Sequence, residues 1–156
     1  MRSGTTANPL ILLVVLALMS ALAGCASTPQ ASAERDADAK RFGSAPATAA
    51  VYIYRIDNDH ENSVLWIDGR LIGSTLPHTF FRVHLEPGRH RLTGYVADNG
   101  HMVLETRPGR VYFVELNVVS GQSYFRLVPD QTGQEVVTNC CSLMENWAPG
   151  QRPLLR

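Results

Sequence analysis

The chain has 156 residues, enough for one domain once a targeting segment is set aside. Its 14 Lys and Arg side chains balance 14 Asp and Glu, so the basic footprint that a phosphate backbone requires is missing and nucleic acid is not expected as a partner. Three cysteines, Cys25, Cys140 and Cys141, are too few for a disulfide framework, so the core has to come from packing.

Arg2 and the polar stretch SGTTANP precede the apolar run LILLVVLALMSALA at residues 10–23. About fourteen apolar residues suit the h-region of a signal peptide, whereas a spanning helix needs about twenty. The run ends in Leu22-Ala23-Gly24-Cys25, which resembles a bacterial lipobox. Small side chains near the cut suit a signal peptidase, and a thiol at the new N-terminus is the nucleophile that takes a diacylglyceryl group. Cys25 is therefore expected to be the lipid attachment site, with residues 1–24 as the signal peptide and the membrane as the partner reached through Cys25. Cleavage removes Arg2 and no acid, leaving 13 basic against 14 acidic side chains, too near neutral to steer a charged ligand. Ala26 follows the cysteine; by resemblance to known lipoproteins, the lack of aspartate there favours the outer membrane, facing the periplasm. An uncleaved N-terminal helix with an incidental cysteine is the alternative.

Residues 25–48 are rich in Ala, Ser, Thr and Pro and poor in large apolar side chains. Such composition reads as a flexible linker. Its roughly 24 residues would reach about 25–30 Å. The alternative is a short helix between about Ser32 and Phe42, with Asp36 and Lys40 spaced i,i+4.

From Ala49 onward β-branched and aromatic residues alternate with polar ones between turn signals. Strands are expected near 50–56, 63–68, 70–74, 79–86, 89–97, 101–106, 110–119 and 123–129. Asp68-Gly69 suits a tight hairpin, and Pro87-Gly88 and Pro108-Gly109 each suit a type II turn. By parity, Phe81, Val83 and Leu85 face opposite to Arg82 and His84, and Tyr112, Val114, Leu116 and Val118 oppose Phe113, Glu115 and Asn117, predicting one small core. The predicted fold is all-β, a sandwich of about seven or eight short strands over residues 49–130, with residues 131–156 as a C-terminal extension. There, Cys140, Leu143, Met144 and Trp147 fall at helical spacing, with Asn139 as N-cap and Pro149 as stop; the alternative is a strand over QEVVTN.

The stretches AAVYIYRI, LWIDGRLIGST, TFFRVHLEPGRHRL, GRVYFVEL and SYFRLV resemble a small bacterial lipoprotein family classed only as a domain of unknown function. More distantly they resemble PEGA-type modules of the VDG…G…PG.H.L pattern. The likeness covers roughly residues 49–130 and implies an immunoglobulin- or transthyretin-like sandwich without an assigned activity, so it supplies no catalytic residues.

His60, His78, His84, His90 and His101 invite a metal, but no His-x-His, His-x-x-His or Cys-x-x-Cys spacing assembles a site, so turn or strand histidines are expected, His90 as a satisfied, half-buried one. Cys140 and Cys141 are adjacent, which puts their Cα atoms about 3.8 Å apart, closer than an ordinary disulfide allows. Cys140 is expected to pack as a small hydrophobe and Cys141 to be partly exposed, with a cross-link between chains as the alternative. Asp57, Asp59 and Glu61 share a loop but lack the twelve-residue calcium pattern. Neither a Gly-x-Ser-x-Gly nor a Ser-x-x-Lys nucleophile motif occurs. Arg55, Arg82, Arg89, Arg91, Arg107, Arg110 and Arg126, interleaved with Tyr52, Tyr54, Tyr95 and Tyr124, form either a face for a glycan or envelope protein or an ordinary solvated face.

These readings converge on a lipid-anchored envelope protein acting as a non-catalytic interaction or structural module, with no cofactor, no metal and no catalytic residue assigned. The alternatives are a small-molecule or metal-binding module, or an enzyme whose active site carries no recognisable motif.

Overall fold

Strand β1, Ala49–Arg55, is buried at every one of its positions, as a strand covered on both faces has to be. The computed structural model describes residues 29–58, 63–94 and 100–146. In chain order these contain α1 (Ala33–Ala39), β1, β2 (Ser63–Ile67), β3 (Arg70–Thr75), β4 (Thr79–Leu85), β5 (Gly88–Thr93), β6 (His101–Thr106), β7 (Val111–Val119), β8 (Gln122–Val128), α2 (Asp130–Cys140) and β9 (Ser142–Leu143). One sheet runs β8-β7-β1-β4-β9 and the other β3-β2-β5-β6, the all-β sandwich expected. β1 pairs antiparallel with β4 and parallel with β7, and β9 pairs parallel with β4.

The inner faces follow the predicted parity. Val51, Ile53, Phe81, Val83, Leu85, Val114 and Leu116 of the larger sheet meet Leu65, Ile67, Ile72, Leu92 and Leu104 of the smaller one. The prediction of one core fails, however. Tyr52, Tyr54, Phe80 and Phe113, on the opposite face of the larger sheet, form a second core with Ala39, Val128, Val137, Cys141 and Leu143. Two helices cover this face, so Phe113 is fully buried although it opposes the sandwich interior.

Turn chemistry sets the hairpins. Asp68 (φ 51°) and Gly69 (φ 73°) both adopt the left-handed region, which a type I′ hairpin between β2 and β3 requires. Pro108-Gly109 turns as predicted, with Gly109 at φ 70° and the Arg110 N–H donating to the Arg107 carbonyl at 3.3 Å. Pro87-Gly88 differs: Gly88 stands at φ 144° and already begins β5, so it is not the centre of a type II turn.

The C-terminal elements also differ from expectation. The helix is α2, which contains QEVVTN as helix and not as strand, and it ends at Cys140, where the predicted helical stripe was to begin. Leu143 lies in the outer core and Met144 in the inner one, the alternation of an extended chain. Trp147 and Pro149 lie outside the described residues. Gly133 lets α2 settle on the sheet: a Cβ there would stand 2.2 Å from Phe113 Cγ.

The linker predicted over residues 25–48 is not a free tether from Pro29 onward. Ser32 caps α1 by accepting from the Arg35 N–H, Lys40 pairs with Asp36 at 2.7 Å, and buried Ala39 accepts a hydrogen bond from the Tyr52 hydroxyl at 2.6 Å. The helix read as an alternative is the one present. Its isolated propensity is small; contact with the outer core holds it.

Candidate functional site

The first and last described residues meet at one edge of the larger sheet. The Glu145 N–H donates to the Pro29 carbonyl at 2.8 Å, the Ala31 N–H to the Leu143 carbonyl at 2.9 Å, and Gln30 bridges antiparallel to Met144. Asp36 of α1 accepts the Leu143 N–H at 2.7 Å, and Arg35 forms an ion pair with Glu145. Asn146 donates through Nδ2 to the Arg82 carbonyl at 3.0 Å. Cys25, the residue singled out for lipid attachment, precedes Pro29 by four positions and lies outside the described residues.

Two polar clusters break the apolar pattern of the strands. On the helix side of the larger sheet, buried Glu115 accepts from Arg126 at 2.5 Å, from Asn117 Nδ2 at 2.6 Å and from the Tyr54 hydroxyl at 3.3 Å. Burial, and after it the charge and hydrogen bond of Glu115, push the Tyr54 phenol up to about 12. At the end of β1, buried Arg55 grips Asp57: Nε donates to both carboxylate oxygens at 3.0 and 2.9 Å, and Nη2 stands 2.9 Å from Oδ1. Arg55 Nη1 also donates to the Thr75 carbonyl at 3.2 Å, and Asp57 accepts the Val118 N–H at 3.1 Å. The hydroxyls of Thr75, Ser63 and Ser123 continue this network across the two sheets, through Thr75 to the Ser63 carbonyl at 2.7 Å and Ser63 to Ser123 at 2.8 Å.

These clusters redistribute the residues that the sequence grouped together. Arg55, Tyr52 and Tyr54 are buried, Arg89 and Arg91 belong to the smaller sheet, and Arg126 and Tyr124 lie exposed on β8, so the arginines and tyrosines do not make one face. Arg82 stacks over the Tyr52 ring at 6.0 Å. Asp57 is committed to Arg55 and the Val118 N–H, while Asp59, Glu61, His60 and Tyr95 lie outside the described residues. The Arg55–Asp57 pair was missed as a unit; its signal is an arginine closing a continuous apolar strand two positions before an aspartate.

The described histidines are dispersed. His90 meets Asp68 through Nδ1 and the Glu86 carbonyl through Nε2, each at 2.7 Å, as a satisfied strand residue should. Burial would raise the Asp68 carboxyl, but hydrogen bonds from His90 and the Arg91 N–H and the charges of His90 and Arg70 hold it below its ordinary value. His78 faces Asn58 at 3.3 Å, and burial, then the Arg82 charge, lowers His84. Among the described residues, no three His, Cys, Asp or Glu side chains gather as a metal-holding group. Cys140 and Cys141 are joined to each other as a vicinal disulfide. The expected exposures are reversed: Cys141 is buried in the outer core and Cys140 is half-buried, which removes Cys141 as an interchain cross-link.

No family model matches the chain, and no solved structure matches it. Among curated proteins it is similar to an uncharacterized protein of Haemophilus influenzae, 29% identical over 126 residues that span 75% of this chain and 74% of that one.

Proposed function

We propose that this protein is a lipid-anchored cell-envelope lipoprotein, cleaved before Cys25 and held by acyl chains on that residue in the outer membrane, facing the periplasm. Its β-sandwich acts there as a non-catalytic interaction or structural module. The observation that carries the reading is Leu22-Ala23-Gly24-Cys25 at the end of the apolar run of residues 10–23. One acyl chain holds a protein only marginally, so stable anchoring needs two or more on the new N-terminus. The resemblance of the strand and turn sequences to a lipoprotein domain of unknown function supports the same assignment. A non-catalytic role is supported by how the buried polar groups are used: Glu115 binds Arg126, Asn117 and Tyr54, and Arg55 binds Asp57, so both clusters spend their hydrogen-bonding capacity on holding the fold.

Mass spectrometry of the N-terminal peptide, with membrane fractionation of wild type and Cys25→Ser, tests the reading. The expected result is an acylated Cys25 as first residue in wild type and loss of outer-membrane association in the variant. An intact Met1, or an unmodified Cys25 in a soluble protein, overturns it.

A further inference from the structure

Building on the lipidation of Cys25 proposed above, we infer that the chain between Cys25 and Pro29 is a short leash. It sets the edge formed by residues 29–31 and β9 against the lipid headgroups, with β8 on the far side of the domain. The geometry begins at Pro29, which is held in place. Its carbonyl accepts the Glu145 N–H at 2.8 Å, and two residues on the Ala31 N–H donates to the Leu143 carbonyl at 2.9 Å. The Ser142 and Met144 N–H groups point the other way, to the carbonyls of His78 and Phe80, so β9 has β4 on one side and residues 29–31 on the other. Those residues therefore occupy a sixth position in the sheet beyond β9.

The distances decide the orientation. Four residue steps from Cys25 to Pro29 span at most about 14 Å when fully extended. As a flexible chain they span about 11 Å. The headgroup layer, about 5–7 Å deep, takes up part of that reach. By contrast, β8 stands five strand spacings from residues 29–31, about 24 Å at roughly 4.8 Å each. The leash is thus shorter than the sheet is wide. Bringing β8 to the bilayer instead would leave Pro29 beyond the reach of Cys25 or break the hydrogen bonds of Pro29 to Glu145 and of Ala31 to Leu143.

Charge does not compete with this placement. At the proximal edge Arg35 is paired with Glu145 and Lys40 with Asp36, so covalent reach and not attraction to anionic lipid sets the position. The described residues also end beside this point, at Asn146, and the sequence of residues 147–156 carries Arg152 and Arg156 and no acidic side chain to repel an anionic leaflet.

Fluorophores attached at Gln30→Cys and at Tyr124→Cys, both exposed positions, test the orientation in the full acylated protein. The protein is reconstituted in phosphatidylethanolamine–phosphatidylglycerol vesicles doped with a headgroup-spin-labelled lipid. Strong quenching at position 30, little at position 124, and loss of the quenching at 30 when about twenty Gly and Ser residues are inserted after Ala26 are expected. Equal quenching of the two probes overturns the orientation, and quenching at 30 that survives the insertion overturns the leash. In both cases a mass spectrum showing acylated Cys25 leaves the anchor standing. An unacylated Cys25 in that spectrum overturns anchor and leash together.

Discussion

Gly133 of α2 lies directly against Phe113 of β7: a Cβ on the glycine would stand 2.2 Å from Phe113 Cγ and 2.3 Å from its Cβ. Glycine inside a helix costs about 1 kcal/mol relative to alanine, so this position gives up helix propensity for close approach to the sheet. Phe113 has little room to yield. It is fully buried, with ring centroids 5.5 Å from Phe42 and 5.1 Å from Tyr52.

Gly133→Ala should therefore destabilise the protein, although on an exposed helix the same change stabilises. Overpacking a core costs about 1–3 kcal/mol, which exceeds the propensity gained. Urea unfolding checks this, and Phe113→Leu in the Gly133→Ala background should not recover the loss, because leucine keeps the Cβ and Cγ atoms that the new methyl meets. A more stable Gly133→Ala protein would show that α2 does not sit on Phe113 as described.

Arg55→Ala should cost about 3 kcal/mol or more, because it takes the paired charge from the half-buried Asp57 carboxylate, which keeps the Val118 N–H, and a donor from the Thr75 carbonyl. Arg126→Ala removes an ion pair in which the arginine side chain is 67% exposed, and should cost about 1 kcal/mol or less. Equilibrium unfolding of the two variants measures the contrast. Equal losses would mean that the Arg55 network is no more sheltered than the Glu115 cluster.

The Tyr54 phenol gives the fold a dependence on alkaline pH. Its folded value, about 12, lies above the ordinary value of 10.0, so the native state holds that proton more tightly than the unfolded chain does. The contribution is fully present below about pH 10 and is lost as pH rises from there through about 12. Phenolate absorbance should show a late-titrating group containing Tyr54 and Tyr52, the latter also raised, chiefly by burial. Tyr54→Phe should remove one phenol from that group, and Glu115→Gln should bring Tyr54 part of the way down, since burial remains. A late group that keeps its full amplitude in Tyr54→Phe would contradict the placement of Tyr54.

The sequence by itself determined the eight strands from Ala49 to Val128, because each alternates or runs apolar between turn signals whose chemistry is local, as Asp68-Gly69 shows. The proposed lipid site at Cys25 rests on the linear segment Leu22-Ala23-Gly24-Cys25 alone. The second core had a signal too: AAVYIYR in β1 is an almost unbroken apolar run, as a strand buried on both faces should be. What covers its outer face was decided only in three dimensions.

α2 contains Gly133 and the run Val136, Val137, Thr138, residues that disfavour a helix, and becomes one because Gly133 and Val137 fit onto the outer core. Leu143 and Met144 read as part of a helical stripe but serve opposite cores, since an extended segment alternates every residue. The Ala- and Ser-rich segment after Cys25 reads as a tether because it has little apolar surface of its own. From Pro29 onward it is fixed by hydrogen bonds from Leu143 and Glu145, more than a hundred positions away in the chain, and no local pattern announces a partner at that separation. The length proposed for the leash, about four residues and not about twenty-four, therefore rests on the tertiary structure.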